Sequence, residues 1–264
     1  MNPGPPPYQS DALTRLSYWG QHKLHQVKVL RVTNTTPPTE EELKIVIDKS
    51  VSERFPDLHV VVKCVRGVKV KPSDEELEHI KQEVCNQVKS KYTLEGLKDV
   101  PTLRAYRDFF WRIGVDPTKN RPASEALIRR TLAGKPLPTI NTLVDAYNLA
   151  SILSEVALAA FDEDKIQSSE VIMRTAKKGE TFLGIGMKEP ITLQGGEIVL
   201  EDSTTLIAIY PYRDAERSKV TEQTKNVALV ACGVPGLSKD TLLQAADLAV
   251  KYVTKFCGGT IHQP

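Results

Sequence analysis

Residues 106–132 read YRDFFWRIGVDPTKNRPASEALIRRTL, and aromatic anchors, arginines and helix punctuation are denser here than anywhere else in the chain. Tyr106, Phe109, Phe110 and Trp111 recur within about one helical turn, so the spacing predicts a short helix pressed into a core. Asp116-Pro117 breaks that helix, because proline lacks the amide donor and restrains the residue before it. Pro122 suits the first turn of a second helix, Arg129-Arg130 lie near its end, and Gly134 is expected to close it in a left-handed conformation. Arg107, Arg112, Lys119, Arg121, Arg129 and Arg130 are thereby expected to frame one basic surface.

Helical and strand signals extend on both sides of this stretch. Thr39-Glu40-Glu41-Glu42 has the capping-box pattern, and Leu43, Val46, Ile47 and Val51 are expected on one helix face. Leu58–Val65 reads as an inner strand, apolar on both faces. Ser73-Asp74-Glu75-Glu76 repeats the capping box ahead of Leu77, Ile80, Val84, Val88 and Tyr92, predicting an amphipathic helix with Glu75, Glu76, Glu78, Lys81, Lys89 and Lys91 toward solvent. Asn141 or Thr142 caps a helix running to Leu158, on which Asp145 and Asn148 are expected to be enclosed and hydrogen-bonded, since the remaining circumference is nearly all apolar.

From Glu170 the pattern changes to alternation and glycine. VIMRTA, ETFLGIG, ITLQ, EIVLED, TTLIAIYPY and VALVACG read as short strands. Gly184-Ile185-Gly186 and Gly195-Gly196 lack the spacing and lysine of a phosphate loop, so they read as turn glycines. Tyr210-Pro211-Tyr212-Arg213-Asp214 should emerge at a sheet end, where Arg213 and Asp214 either pair or meet a ligand. Ser238 caps a closing helix that Gly258-Gly259 ends.

The chain's 264 residues, 41% hydrophobic and 26% charged, suffice for a sizeable core, and the formal charge of +2 excludes binding to nucleic acid through net charge alone. Cys64, Cys85, Cys232 and Cys257 show no C-x-x-C spacing and read as buried free thiols. Of the five histidines, His22, His25, His59, His79 and His262, none lies between Glu170 and Gly259, which argues against a serine triad there. His22 and His25 lack further ligands nearby, so neither metal nor cofactor is expected. No run approaches membrane-spanning length, and the expected location is cytoplasmic. Residues 1–38 are expected to be a proline-rich leader and extension, with a strand at Gln26–Thr33, and 39–264 the folded domain.

Taken in order, RDFFWRIGVDPTKNRPASEALIRR, INTLVDAYNLAS, AFDEDKI, RTAKKGETF and VTEQTKNVALVACG resemble the B3/B4 domain of the phenylalanyl-tRNA synthetase beta subunit, and still more the free-standing proteins of that type. The resemblance covers about Val51 to Gly259. It implies an α/β (α+β) fold, a mixed β-sandwich-like core flanked by helices, and association with tRNA. It also implies an editing pocket between the end of the Asn141–Leu158 helix and the β-rich half. Two positions depart from that pattern: Ala159 stands where editing domains carry histidine, and Gln223 where they carry the glutamate that reads a tyrosine hydroxyl.

Gln223, Thr224 and Asn226 are thus the catalytic candidates. Arg112, Lys119, Arg121, Asp145, Asn148, Arg174, Arg213 and Asp214 are the candidates for binding substrate or RNA. The expected function is an RNA-associated module for tRNA or aminoacyl-tRNA, with trans-editing deacylation as its enzymatic form; neither DNA nor a membrane is expected as a partner. The alternatives are a small-molecule protein that binds an amino acid or nucleotide with the same fold, and a scaffold.

Overall fold

The computed structural model describes residues 42–261; the expected leader, His22, His25 and the expected strand at Gln26–Thr33 lie outside the described residues. Two main sheets, a two-stranded hairpin and six α-helices build the described fold, as expected of a mixed β core flanked by helices. One sheet contains β2 (Val60–Arg66), β3 (Leu158–Asp162), β10 (Asn226–Cys232) and β11 (Thr260–Ile261) in the order β11-β2-β10-β3, all antiparallel. The other contains β1 (Lys44–Ile47), β4 (Glu170–Thr175), β7 (Ile198–Glu201), β8 (Leu206–Ile209) and β9 (Arg213–Asp214) in that order, with β1 parallel to β4 and the rest antiparallel. A small hairpin pairs β5 (Thr181–Phe182) with β6 (Ile191–Thr192).

The helices are α1 (Lys49–Ser52), α2 (Glu75–Lys91), α3 (Pro101–Arg112), α4 (Ala123–Leu132), α5 (Thr142–Ser154) and α6 (Lys239–Cys257). Caps explain their starts. Asp74 accepts from Leu77 N, Asn141 from Leu143 N and Val144 N, and Ser238 from Thr241 N, which satisfies amide donors that have no partner inside the helix. Gly134 follows α4 at φ 73°, in the left-handed region its missing Cβ makes accessible.

One apolar core joins both sheets to α2–α6, and its members include Phe109, Phe110, Leu149, Val171, Ile207, Val230 and Ala246. A smaller cluster, with Phe182, Leu193, Val199 and Ile209, fills the opposite face of the five-stranded sheet beneath the β5–β6 hairpin. Tyr106 ties the layers together: its hydroxyl donates to Cys232 O and accepts from Ala157 N. Burying the ring while satisfying both backbone groups makes the aromatic stretch a hub between α3, β3 and β10.

Several expectations are corrected. Residues 44–47 form a strand rather than a helix, because Ile45, Val46 and Ile47 pair along β4 and only Asp48 onward turns helical. Trp111 is 59% exposed while its neighbours Phe109 and Phe110 are buried, since a helix turns consecutive residues to different faces. The helix expected to reach Leu158 ends at Ser154. Glu155 then adopts φ 62°, and residues 158–162 become a wholly buried strand. Lys81, expected toward solvent, is only 4% exposed.

Candidate functional site

The basic groups of the opening stretch separate into two surfaces. Lys119, Arg121, Arg129, Arg130 and Lys135 line one groove of about 470 Å³ whose apolar lining is Leu94, Ala126 and Ala133. Arg112 lies in a different groove with Arg104, Asp108 and Pro235, its guanidinium 4.7 Å from the centre of the Phe55 ring. The cations of the first groove are held apart by the fold. Arg129 Nε donates to Glu125 at 2.6 Å and Arg130 Nε donates to Pro136 O at 2.6 Å, while Lys119 stands 3.9 Å from Asp116. Arg121 and Lys135 have no side-chain partner among the described residues.

Glu125 explains why this groove stays positive. Its carboxylate is fully buried and accepts from both Arg107, at 2.7 Å and 2.5 Å, and Arg129. Burial by itself would raise its pKa, but the Arg107 and Arg129 guanidiniums hold the carboxyl below its usual range. One acid thus satisfies two arginines and leaves a net positive surface.

Other candidates have structural partners. Asp145 is enclosed as expected, but by a lysine: Lys81 Nζ donates to its Oδ2 at 3.0 Å and Ile140 N to its Oδ1 at 3.1 Å. Burial raises its pKa, with the Lys81 ammonium and the Ile140 amide opposing. Arg174 is saturated by Glu201 at 2.6 Å and by a two-pronged contact to Glu180 at 2.9 Å and 2.6 Å. Thr224 is buried, donates to Asp162 at 2.7 Å, and accepts from Thr221 N at 2.9 Å. The Asn226 amide donates to Asp164 at 2.7 Å and accepts from Gly67 N at 3.2 Å. Gln223 is exposed at the turn before them.

Arg213 and Asp214 emerge at the sheet end on opposite faces. Asp214 lies opposite Ala208, which belongs to the main core, while Arg213 lies opposite Ile209 of the smaller cluster. Cross-strand partners point to the same side, so Asp214 turns inward and Arg213 outward. The Arg213 stem lies over Gly184, where an added Cβ would stand 2.5 Å from its Cδ. Burial pushes the Asp214 carboxyl up to about 7, against the pull of Arg213. The Tyr147 hydroxyl and the Cys232 thiol are raised by their own burial and, next, by the Asp214 charge. The same thiol lies beside the Ala159 backbone.

The sequence profile of the B3/4 domain matches residues 105–258, more than half of the chain. The chain belongs to the B3/4 domain family. The beta subunit of phenylalanine–tRNA ligase from Protochlamydia amoebophila is 31% identical over 107 residues, 40% of this chain and 13% of the relative. Its counterpart from Listeria monocytogenes is 38% identical over 89 residues, 34% of this chain and 11% of the relative. These matches therefore span a small part of each relative. An N-terminal fragment of the phenylalanyl-tRNA synthetase beta subunit from Pyrococcus horikoshii aligns with 84% of this chain and 51% of its own, at 18% identity and a TM-score of 0.44.

Within this B3/4 domain, Lys119 and Arg121, both expected as binding candidates, line one groove, and so does Lys135, which the sequence reading did not single out and whose signal was a lysine directly after the Gly134 turn. Tyr147 was read only as an apolar contact. Its place between Asp145 and Asn148 was the available hint, but that the Asp214 charge reaches it depends on the tertiary fold. Among the described residues no group of three or more His, Cys, Asp or Glu could hold a metal, and no helix is long and apolar enough to cross a membrane.

Proposed function

We propose that this chain is an RNA-associated module that binds tRNA or aminoacyl-tRNA, with residues 39–264 as the binding domain and 1–38 as an extension. The observation that carries the reading is the groove of Lys119, Arg121, Arg129, Arg130 and Lys135, in which Arg121 and Lys135 have no protein partner among the described residues. Unpaired cations spread along a groove suit a chain of phosphates, because each contact releases a condensed counterion. Membership of the B3/4 family and the likeness to beta subunits of phenylalanine–tRNA ligases favour tRNA as the source of those phosphates. A local patch also reconciles RNA binding with a net charge of only +2.

Deacylation is the finer form of this reading, and it is kept as an outcome of the test. Thr224 and Asn226 are engaged with Asp162 and Asp164, and Gln223 brings no basic group. The decisive measurement is tRNA binding by fluorescence anisotropy between about 50 and 200 mM salt. Affinity should fall steeply, and the double variant Arg121→Ala/Lys135→Ala should flatten the logarithmic salt slope by about 2. Binding with no salt dependence, or an unaltered slope in the variant, would remove the groove from the reading and favour a small-molecule protein. A parallel deacylation time course on correctly and wrongly charged tRNAs decides whether hydrolysis is added.

A further inference from the structure

We propose that the exposed indole of Trp111 is a stacking platform for an unpaired base of the bound RNA, with Arg54, Arg104 and Arg112 receiving the phosphates beside it. The inference deepens the RNA reading and rests on it for the presence of a nucleic acid.

Trp111 leaves a large apolar ring in water. At 59% it is the most exposed of the large hydrophobic side chains among the described residues, on a helix whose other aromatics, Tyr106, Phe109 and Phe110, are all buried. Residues three, four and seven apart share one side of a helix, so Arg104, Arg107 and Trp111 lie along the same side of α3. Arg107 donates to Glu125 of α4, the acid that also holds Arg129 of the Lys119–Arg121 groove. Arg104 lines the other groove with Arg112. The indole therefore stands between the two cationic grooves.

The arginines on the α3 side are held without being neutralised. The Arg112 and Arg54 guanidiniums lie 4.7 Å and 5.1 Å from the centre of the Phe55 ring, and neither they nor Arg104 have a carboxylate partner among the described residues. An aromatic ring attracts a guanidinium but carries no net charge, so the positive charges gathered at Phe55 persist and an anion relieves their repulsion. Asp108, between Arg104 and Arg112 on the helix, offsets one of the three. Elsewhere arginines are neutralised in place, Arg174 by Glu180 and Glu201, Arg217 by Asp202 and Arg66 by Glu163.

These surroundings choose the partner. A protein interface centres on a contiguous apolar patch, whereas Trp111 is the one exposed large hydrophobic of α3, and arginines border it. An unpaired base offers a flat apolar face with a phosphate on either side, so a lone ring bordered by cations fits a single strand. Bases inside a duplex have no free face to offer, and any unpaired base can stack, so the platform selects single-stranded RNA without reading its sequence.

The indole also serves as the reporter. The chain has two tryptophans, Trp19 and Trp111, so Trp19→Phe in the full chain leaves Trp111 as the sole emitter. This protein is titrated with a short oligoadenylate, with the blunt duplex that strand forms with oligouridylate, and with uncharged tRNA. The single strand should quench Trp111 emission. Trp111→Ala, with affinities read by anisotropy, should weaken the single strand by about 5-fold to 100-fold, leave duplex affinity and the salt slope unchanged, and be largely rescued by Trp111→Phe. Arg104→Ala/Arg112→Ala should flatten the salt slope for the single strand by about 2. A single strand that binds without quenching, or a Trp111→Ala effect equal on strand and duplex, overturns the platform while the Lys119–Arg121 groove still stands. The groove is read separately from Arg121→Ala/Lys135→Ala, whose flattened slope should leave the quench at saturation intact. Failure to bind any of the three RNAs removes both readings. Emission that follows protein concentration instead of RNA assigns the indole to self-association and likewise overturns the proposal.

Discussion

Replacing Asp214 by asparagine should make the protein more stable at mildly alkaline pH and remove part of its pH dependence. In the fold this carboxyl titrates at about 7, against an ordinary 3.8. The folded state therefore binds the proton more tightly than the unfolded chain does, and stability falls as pH rises between those two values. Each tenfold change in proton affinity is worth about 1.4 kcal/mol, so the ceiling is about 4 kcal/mol between about pH 4 and pH 8. Asp214 is only part-buried, and solvent relaxation around the charge reduces the expected figure to about 2 kcal/mol. Asparagine keeps the shape but has no such titration, and all other groups cancel when the two proteins are compared. Urea unfolding at several pH values across this range supplies the measurement, with the slope parameter checked for constancy. Asp214→Asn should be the more stable protein above pH 7, and the advantage should shrink steadily toward pH 4. Parallel curves for the two proteins would refute the reasoning, because they would show that Asp214 has a partner or a hydration shell that keeps its pKa ordinary.

Other variants probe the links between core and surface. Lys81→Met should cost about 3–5 kcal/mol in urea unfolding, because it strands the buried Asp145 carboxylate; a cost below about 1 kcal/mol would show that Asp145 is neutral in the fold. Tyr106→Phe removes the partner of both Cys232 O and Ala157 N and should cost about 1–3 kcal/mol with little change in tRNA affinity. Arg213→Ala should leave the urea-unfolding midpoint nearly unchanged, since Arg213 is exposed and unpaired among the described residues. Glu125→Gln weakens the hold on Arg107 and Arg129 and should destabilise by about 1–3 kcal/mol near neutral pH. Because its folded pKa lies below the unfolded one, that deficit should vanish as acid protonates Glu125 in the parent protein.

Much of the fold was legible from local chemistry. Asn141 and Ser238 announced two helix starts, and the capping-box pattern at Ser73 announced a third one residue before the actual cap, Asp74, because a short oxygen-bearing side chain before an apolar periodicity has one favourable use, accepting a free amide. The strands from Val171 to Cys232 showed themselves through β-branched alternation between turn residues. Residues 44–47 were misread because a capping-box pattern and a β-branched run compete locally, and only the presence of β4 as a pairing partner resolved it. Residues 158–162 escaped notice because Leu-Ala-Ala-Phe continues a helical composition as readily as it forms a buried strand.

The site divides along the same line. The amino-acid sequence alone determined that cations gather between Lys119 and Arg130, next to two helices, and that Arg213-Asp214 follows an apolar strand and emerges at a sheet end, because each follows from short-range spacing. Tertiary structure alone decided which charges remain available. Arg174 was satisfied by Glu180 and Glu201, Asp145 by Lys81 from another helix, and Thr224, in the turn before β10, by Asp162 at the end of β3. Arg121, Lys135 and Asp214 were left without partners among the described residues. Whether a charge is free depends on what the folded chain brings within about 4 Å of it, and those neighbours are distant in sequence.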